Sequence, residues 1–175
     1  RVLVYGEQGL GDTLQFARFV SVLQNQGAHV LFEVQPPLVG LLSRCLPGVK
    51  VFPMGTRADA FDFHTPLLSL PGQLDVNEAT IPFHSRYLEA SPEKVAVWSD
   101  RLGQWSRPRI GLVWSGNSAH QNDRNRSIRL DQLISILPDG YNYACLQNTI
   151  RSEDAPILVN HPRIHTYTCL LYTSP

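Results

Sequence analysis

The stretch "YGEQGLGDTLQF", residues 5–16, decides how the chain is read. Val2, Leu3 and Val4 lead into it and read as a buried strand. Gly6, Gly9 and Gly11 follow, then an acid, then apolar residues at helical spacing. Strand, glycine turn and helix in that order open a parallel α/β unit. The turn invites comparison with the dinucleotide fingerprint G-x-G-x-x-G. Gly9-x-Gly11 is there, but Leu14 holds the third glycine position. No acid closes the second strand as a ribose partner would; Glu33 is the nearest candidate, and Gln35 follows. A P-loop fits no better, because Asp12 follows Gly11 where Gly-Lys-Ser/Thr is required. An acid there repels phosphate from the helix N-terminus.

Asp12 has two readings. As a structural residue it is a preferred N-cap, and Gln15 gives the capping-box spacing. As a chemical residue it lies at the carboxyl end of the first strand, where open α/β sheets build clefts. Glycines there let a substrate approach the backbone, and Asp12 could take a proton from a hydroxyl. The helix dipole weakens it as a base and keeps it ionised.

Working outward, strands alternate with helices. Asp12 to about Gln26 reads as a helix with Phe16, Phe19, Val20 and Leu23 on one face, stopped by Gly27. "HVLFEV" (29–34) is a strand, "PPLVGLLSRCL" a helix closed by "PGV", and Val49–Phe52 a strand. "FDFHTP" (61–66) suggests a fourth strand, and 71–82 a loop with helical turns. The order predicts a parallel sheet covered on both faces. "SPEKVAVWSDRLGQW" (91–105) reads as a helix capped by Ser91, with Val95, Val97, Trp98 and Leu102 apolar.

"RIGLVWSG" (109–116) restarts the pattern as a buried strand running into glycine. A polar loop (117–129), a helix in "LDQLISIL" (130–137) and a strand in "YNYACLQ" (141–147) follow. The predicted boundary lies near 103–108, giving domains 1–105 and 108–168. The end, "CLLYTSP" (169–175), resembles translated sequencing-adaptor sequence and reads as a non-native tail.

The 175 residues suffice for a domain with a real core. Hydrophobic content of 43% and charge of 17% describe a globular protein. Fifteen basic and fifteen acidic residues cancel, so nothing global points to nucleic acid. Cys45, Cys145 and Cys169 give neither a disulfide framework nor zinc spacing, which points to a reducing compartment, here the cytoplasm. No apolar run approaches the roughly 20 residues of a membrane span. The chain opens at Arg1 directly on a strand, so it is expected to be a piece of a longer protein.

The second turn, "WSGNSAHQNDRNRS", is rich in donors: Ser115, the Gly116 and Asn117 amides, Asn122, Arg124, Arg126 and Ser127. Such a loop after a strand can bind a diphosphate, with arginine supplying fork-shaped charge. The structural alternative is a solvated loop whose arginines pair with Asp123 or Asp131. His64, His84, His120, His161 and His165 show no metal spacing. Trp98 and Trp105 read as core or domain-junction residues. No Ser-His-Asp order or paired-carboxylate motif stands out.

With both turns in view, the chain resembles glycosyltransferase family 9, the bacterial heptosyltransferase-like family, in the branch found behind tetratricopeptide repeats. The resemblance rests on "VLVYGEQGLGDTLQFARF", "FEVQPPLVGLL", "FDFHTPLLSLPG" and "RIGLVWSGNSAHQNDRNRSI" and spans most of 1–137. It implies a GT-B architecture: an N-terminal Rossmann-like domain for the acceptor and a second, here truncated, for the nucleotide sugar. It implies that Asp12, in Gly11-Asp12-Thr13-Leu14, is the catalytic base, in a turn with Gly9, Gly11 and Thr13. Trp114, Ser115 and Gly116 match the phosphate-contacting loop, and Arg126 best matches its basic residue; Asn117, Arg124 and Ser127 lie in the same loop. Relatives usually have proline at Arg129. The family's later Asp-Thr/Ser…His-x-x-Gly segment has no match here.

The implied activity is inverting transfer of a sugar from a nucleotide sugar to a glycan, lipid-linked sugar or protein hydroxyl. No metal or other cofactor is expected, since arginines and amides would neutralise the leaving diphosphate. The piece itself is expected to be inactive, and the parent could associate peripherally with membrane. A protein O-linked sugar transferase and a non-catalytic sugar- or partner-binding scaffold are the rival readings.

Overall fold

A computed structural model describes residues 1–82, 86–103, 105 and 108–167. The reading of 169–175 as a tail, His84 and part of the 103–108 boundary lie outside the described residues. The chain divides into two compact units, Arg1–Val97 and Trp98–Pro175. That division falls inside the helix Pro92–Leu102 rather than after it.

The first unit holds four parallel strands, β1 (Val2–Tyr5), β2 (Val30–Val34), β3 (Lys50–Pro53) and β4 (Phe63–Pro66), in the order β3-β2-β1-β4. Leu3 pairs with Leu31 on one side and His64 on the other. The chain thus leaves β1 toward β2 and later crosses back to β4. Strand order reverses at β1, and such a reversal opens a crevice at the strands' carboxyl ends. The turn after β1 therefore sits where open α/β sheets hold ligands.

The first helix departs from the sequence reading. It begins at Leu10, not Asp12, and splits into α1 (Leu10–Phe16) and α2 (Arg18–Asn25). Arg18 Nε donates to the Gln15 carbonyl at 2.9 Å, and the Val20 amide bonds only three residues back, to Ala17. Gly27, at φ +94°, ends α2 as a left-handed glycine should. A 3-10 turn (Pro36–Leu38) runs into α3 (Val39–Cys45). A second (Leu67–Ser69) runs into α4 (Leu70–Gln73), earlier than the sequence suggests.

Apolar burial explains the layering. Val4, Val20, Phe32, Val34, Leu42, Leu67 and Leu70 are almost wholly buried in one core between sheet and helices. Full burial of each contributes about 1.5–3 kcal/mol. The opposite face carries a smaller patch: Leu3, Leu31 and Phe52, with Ala58 packed against it. Cover on both faces was expected. Among the described residues the second face has a loop residue where helices were predicted, because the β3–β4 connection is irregular.

The helix α5 (Pro92–Leu102) starts as predicted, with Ser91 Oγ accepting the Lys94 amide at 3.2 Å. Its apolar residues do not form core; Val95 and Val97 are about half exposed.

The second unit is a parallel sheet of β5 (Arg109–Leu112), β6 (Asn142–Cys145) and β7 (Ile164–Thr166), in chain order. Between them lie α6 (Leu130–Ser135) and α7 (Ala155–Val159). Leu112, Trp114, Leu130, Tyr143, Cys145, Leu158 and Ile164 form its core. Trp105 stacks on His165 at 4.6 Å and Trp98 meets Tyr167 edge-on. The molecule is thus α/β with parallel sheets, consistent with a Rossmann-like fold.

Candidate functional site

Each unit offers one candidate region, at the turn after its first strand. In the first unit the turn is held from several directions. The Gly6 amide donates to Glu33 O at 2.9 Å, and Gln35 Nε2 donates to Gln8 O at 2.7 Å. Glu7 accepts the Leu67 and Leu68 amides at 3.2 and 3.3 Å. A carboxylate of the chain thus already occupies the amides that open the turn after β4. An incoming phosphate would find those donors taken and a negative charge beside them. Glu33, the nearest ribose-partner candidate, accepts the Gly55 amide.

Asp12 is not the N-cap. Gly9 is, and Asp12 stands at the third helical position, with Oδ2 accepting the Gly9 amide at 3.0 Å. The carboxylate reaches back to the cap, so Gln15 is not needed for a capping box. Among the described residues no donor reaches Oδ1. Asp12 is half-buried, so one oxygen fixes the helix start while the other remains available. Thr13 is fully buried, its hydroxyl without a partner among the described residues. A Cβ on Gly6 would come within 3.0 Å of it, which is why glycine stands there. Gly9 and Gly11 complete the turn.

In the second unit β5 runs into a loop whose two ends, Val113 to Gly116 and Asn125 to Ile128, line an open cavity of about 530 Å³. Gln147, on the segment after β6, clamps the start of this loop. Its Oε1 accepts the Trp114 and Ser115 amides at 3.1 and 3.2 Å, and its Nε2 donates to Ser115 O at 2.7 Å. Trp114 is buried, and its indole donates to Asp154 Oδ2 at 2.8 Å. The Gly116 amide donates to Ser127 Oγ at 3.0 Å. Of the two amides predicted as phosphate donors, that of Gly116 is therefore engaged within the protein, while that of Asn117 has no partner among the described residues; the Ser115 amide is engaged as well.

Other groups remain available. The Ser115 hydroxyl is buried with no partner among the described residues. Arg124 and Arg126 are exposed and form no ion pair there. The Arg126 guanidinium lies against Gly116, where an added Cβ would come 2.9 Å from Cζ. The structural alternative holds for a different arginine: Arg129 pairs with Asp131 at 2.7 Å. Asn117 is exposed, its side chain accepting the Ala119 amide. His120 Nδ1 accepts the Asn122 amide.

Asp123 is neutralised by Arg151, which sequence reasoning missed, at 2.5 Å. No family model matches the chain, and no solved structure matches it significantly. The chain is similar to Protein FlbA of Caulobacter vibrioides, at 26% identity over 133 residues. That match takes in 65% of this chain and 22% of FlbA, so the chain spans about a fifth of its relative's length.

Arg151, Gln147 and Asp154 all bond to the loop across 24 or more residues, so no local spacing announces them. Gln147 left one usable signal, a polar residue closing an apolar strand. Among the described residues no group of three or more His, Cys, Asp or Glu could hold a metal. Nor is any helix there long and apolar enough to cross a membrane.

The Ser127 hydroxyl donating to Asp123, with Arg151 and Arg126 nearby, holds the Asp123 carboxyl below its ordinary 3.8. A depressed carboxyl contributes stability that is present above the unfolded pKa and lost as pH falls through the folded one. The loop should therefore keep its closed form at pH 4 and loosen only below the ordinary aspartate range. Amide chemical shifts of Gly116 and Ser127 against pH measure this; a midpoint at or above 3.8 contradicts it.

Proposed function

We propose that the chain is part of a GT-B glycosyltransferase of the heptosyltransferase-like family, and that the second unit takes the nucleotide sugar. The supporting observation is the opening after β5, where Ser115, whose buried hydroxyl has no partner among the described residues, and Arg126, which forms no ion pair there, line one cavity of about 530 Å³. That volume suits a nucleotide-sized ligand. A guanidinium and a hydroxyl are the donors a leaving diphosphate needs.

In this reading Arg126 and Ser115 bind the diphosphate, with Arg124 adding charge from the same loop. The engaged amides of Ser115 and Gly116 hold the loop's shape instead of contacting the ligand. Asp12, on the acceptor side, takes the proton of the attacking hydroxyl through Oδ1. The oxygen attacks the anomeric carbon as the bond to the diphosphate breaks, and the configuration inverts. The first unit suits a neutral hydroxyl better than a phosphate, because the Glu7 and Asp12 carboxylates put negative charge in the turn after β1 and Glu7 already takes the amides that open the turn after β4.

Arg126→Ala in the full-length parent tests the donor side. Losing a charged hydrogen bond of about 1.5–3 kcal/mol should weaken nucleoside diphosphate binding at least tenfold. Folding should change by no more than about 0.5 kcal/mol, since Arg126 is exposed and unpaired. Calorimetric titration measures the first and thermal unfolding the second. Unchanged affinity counts against the assignment.

A further inference from the structure

We propose that Arg151 is a positioning residue for the donor cavity. It locks loop 116–127 in the shape that presents Ser115 and Arg126 to an anion. The inference rests on the donor-site reading above and extends it to a residue outside the loop.

The geometry is a closed ring. The Gly116 amide donates to Ser127 Oγ, and the Ser127 hydroxyl donates to Asp123 Oδ1 at 2.7 Å. Asp123 Oδ2 accepts from Arg151 Nη2 at 2.5 Å. The same nitrogen lies 3.3 Å from Ser127 Oγ and 3.4 Å from Gly116 O, which returns the ring to its start. The loop's two ends are thus joined through one guanidinium anchored after β6. Side-chain exposures are 27% for Arg151 and 13% for Asp123, so solvent screens the pair less than a surface pair.

The ring also explains a division of labour among the cations. An unpaired Asp123 would oppose any anion in the cavity. Arg151 cancels that charge and leaves Arg126 for the ligand. Gly116 links the two roles: its amide and carbonyl belong to the ring, and the Arg126 guanidinium rests on its Cα. If the ring opens, the surface under Arg126 moves.

The test uses the full-length chain as wild type, Arg151→Gln, Arg151→Lys, Asp123→Asn and the double variant Arg151→Gln/Asp123→Asn. Inorganic pyrophosphate is the probe, read by calorimetry, with hydrogen exchange of the Gly116 amide beside it. Arg151→Gln should weaken pyrophosphate about tenfold and speed Gly116 exchange by more than the accompanying loss of global stability accounts for. Arg151→Lys should recover part of both, because it can still meet Asp123. The double variant should be no worse than Arg151→Gln, the non-additivity of residues in one network. Unchanged Gly116 exchange in Arg151→Gln, or additive losses in the double variant, overturns the proposal. The exchange readout needs no ligand. Faster exchange with no pyrophosphate binding to wild type would overturn the donor-site reading and with it the ring's role in binding, while keeping the ring as structure.

Discussion

Asp12→Asn is expected to lower sugar transfer by the full-length parent about 100- to 10,000-fold, the usual worth of a positioned general base. The substitution isolates chemistry from folding. Asp12 Oδ2 holds the Gly9 amide at 3.0 Å, and the asparagine oxygen can do the same. Its amide nitrogen then points where Oδ1 was and cannot accept a proton. Exposed cap substitutions that keep an acceptor cost little, typically well under about 1 kcal/mol. Transfer rates and thermal unfolding measured together decide the matter. Near-normal turnover in a normally folded variant removes the base role and leaves Asp12 as the reach-back partner of the helix cap.

Gln147→Leu should be the most destabilising substitution in the second unit. It removes the acceptor for the Trp114 and Ser115 amides and the donor for Ser115 O at one stroke. Each buried backbone group left unpaired costs about 1–3 kcal/mol. Partial rescue by water leaves an expected loss of about 3–5 kcal/mol, a large share of a typical domain's stability. Denaturant unfolding followed by near-ultraviolet circular dichroism reports it, because Trp114 sits in the affected core. A loss below about 1 kcal/mol would mean that the clamp is not formed in solution. Pyrophosphate affinity should fall with stability, since Ser115 is positioned by the same bonds.

Sequence pattern revealed the four strands of the first unit and the first two of the second because their burial follows simple runs: Val30–Val34 and Asn142–Cys145 are nearly all buried. Gly27 and Gly48 could be placed because only left-handed backbone explains them there. Asp12 was misplaced by one turn of logic. Gly9 and Asp12 are three apart, so the acid that looks like a cap can equally reach back to one. The break at Ala17 was hidden because Arg18 acts through its side chain on a backbone carbonyl. The α7 and β7 elements were missed because both are short. The cavity after β5 was half visible. Its loop lies in one stretch of sequence, but Gln147, Arg151 and Asp154 arrive from elsewhere in the fold, and pairing over such distances leaves no periodic trace.

The account also reassigns the second turn's donors. Of the Gly116 and Asn117 amides that the sequence offers to a phosphate, the first is bound to Ser127. The residues lining the cavity include Arg126 and Ser115, whose hydroxyl is buried and without a partner among the described residues. Binding should therefore respond to side-chain substitution at 115 and 126 more than to changes in the backbone of the turn.

The most direct measurement is nucleoside diphosphate release from a panel of uridine-, adenosine-, guanosine- and cytidine-linked sugars by the full-length parent, wild type beside Arg126→Ala. The account predicts release from at least one donor, falling tenfold or more in the variant. Release equal in both, or neither binding nor release across the panel, would contradict it.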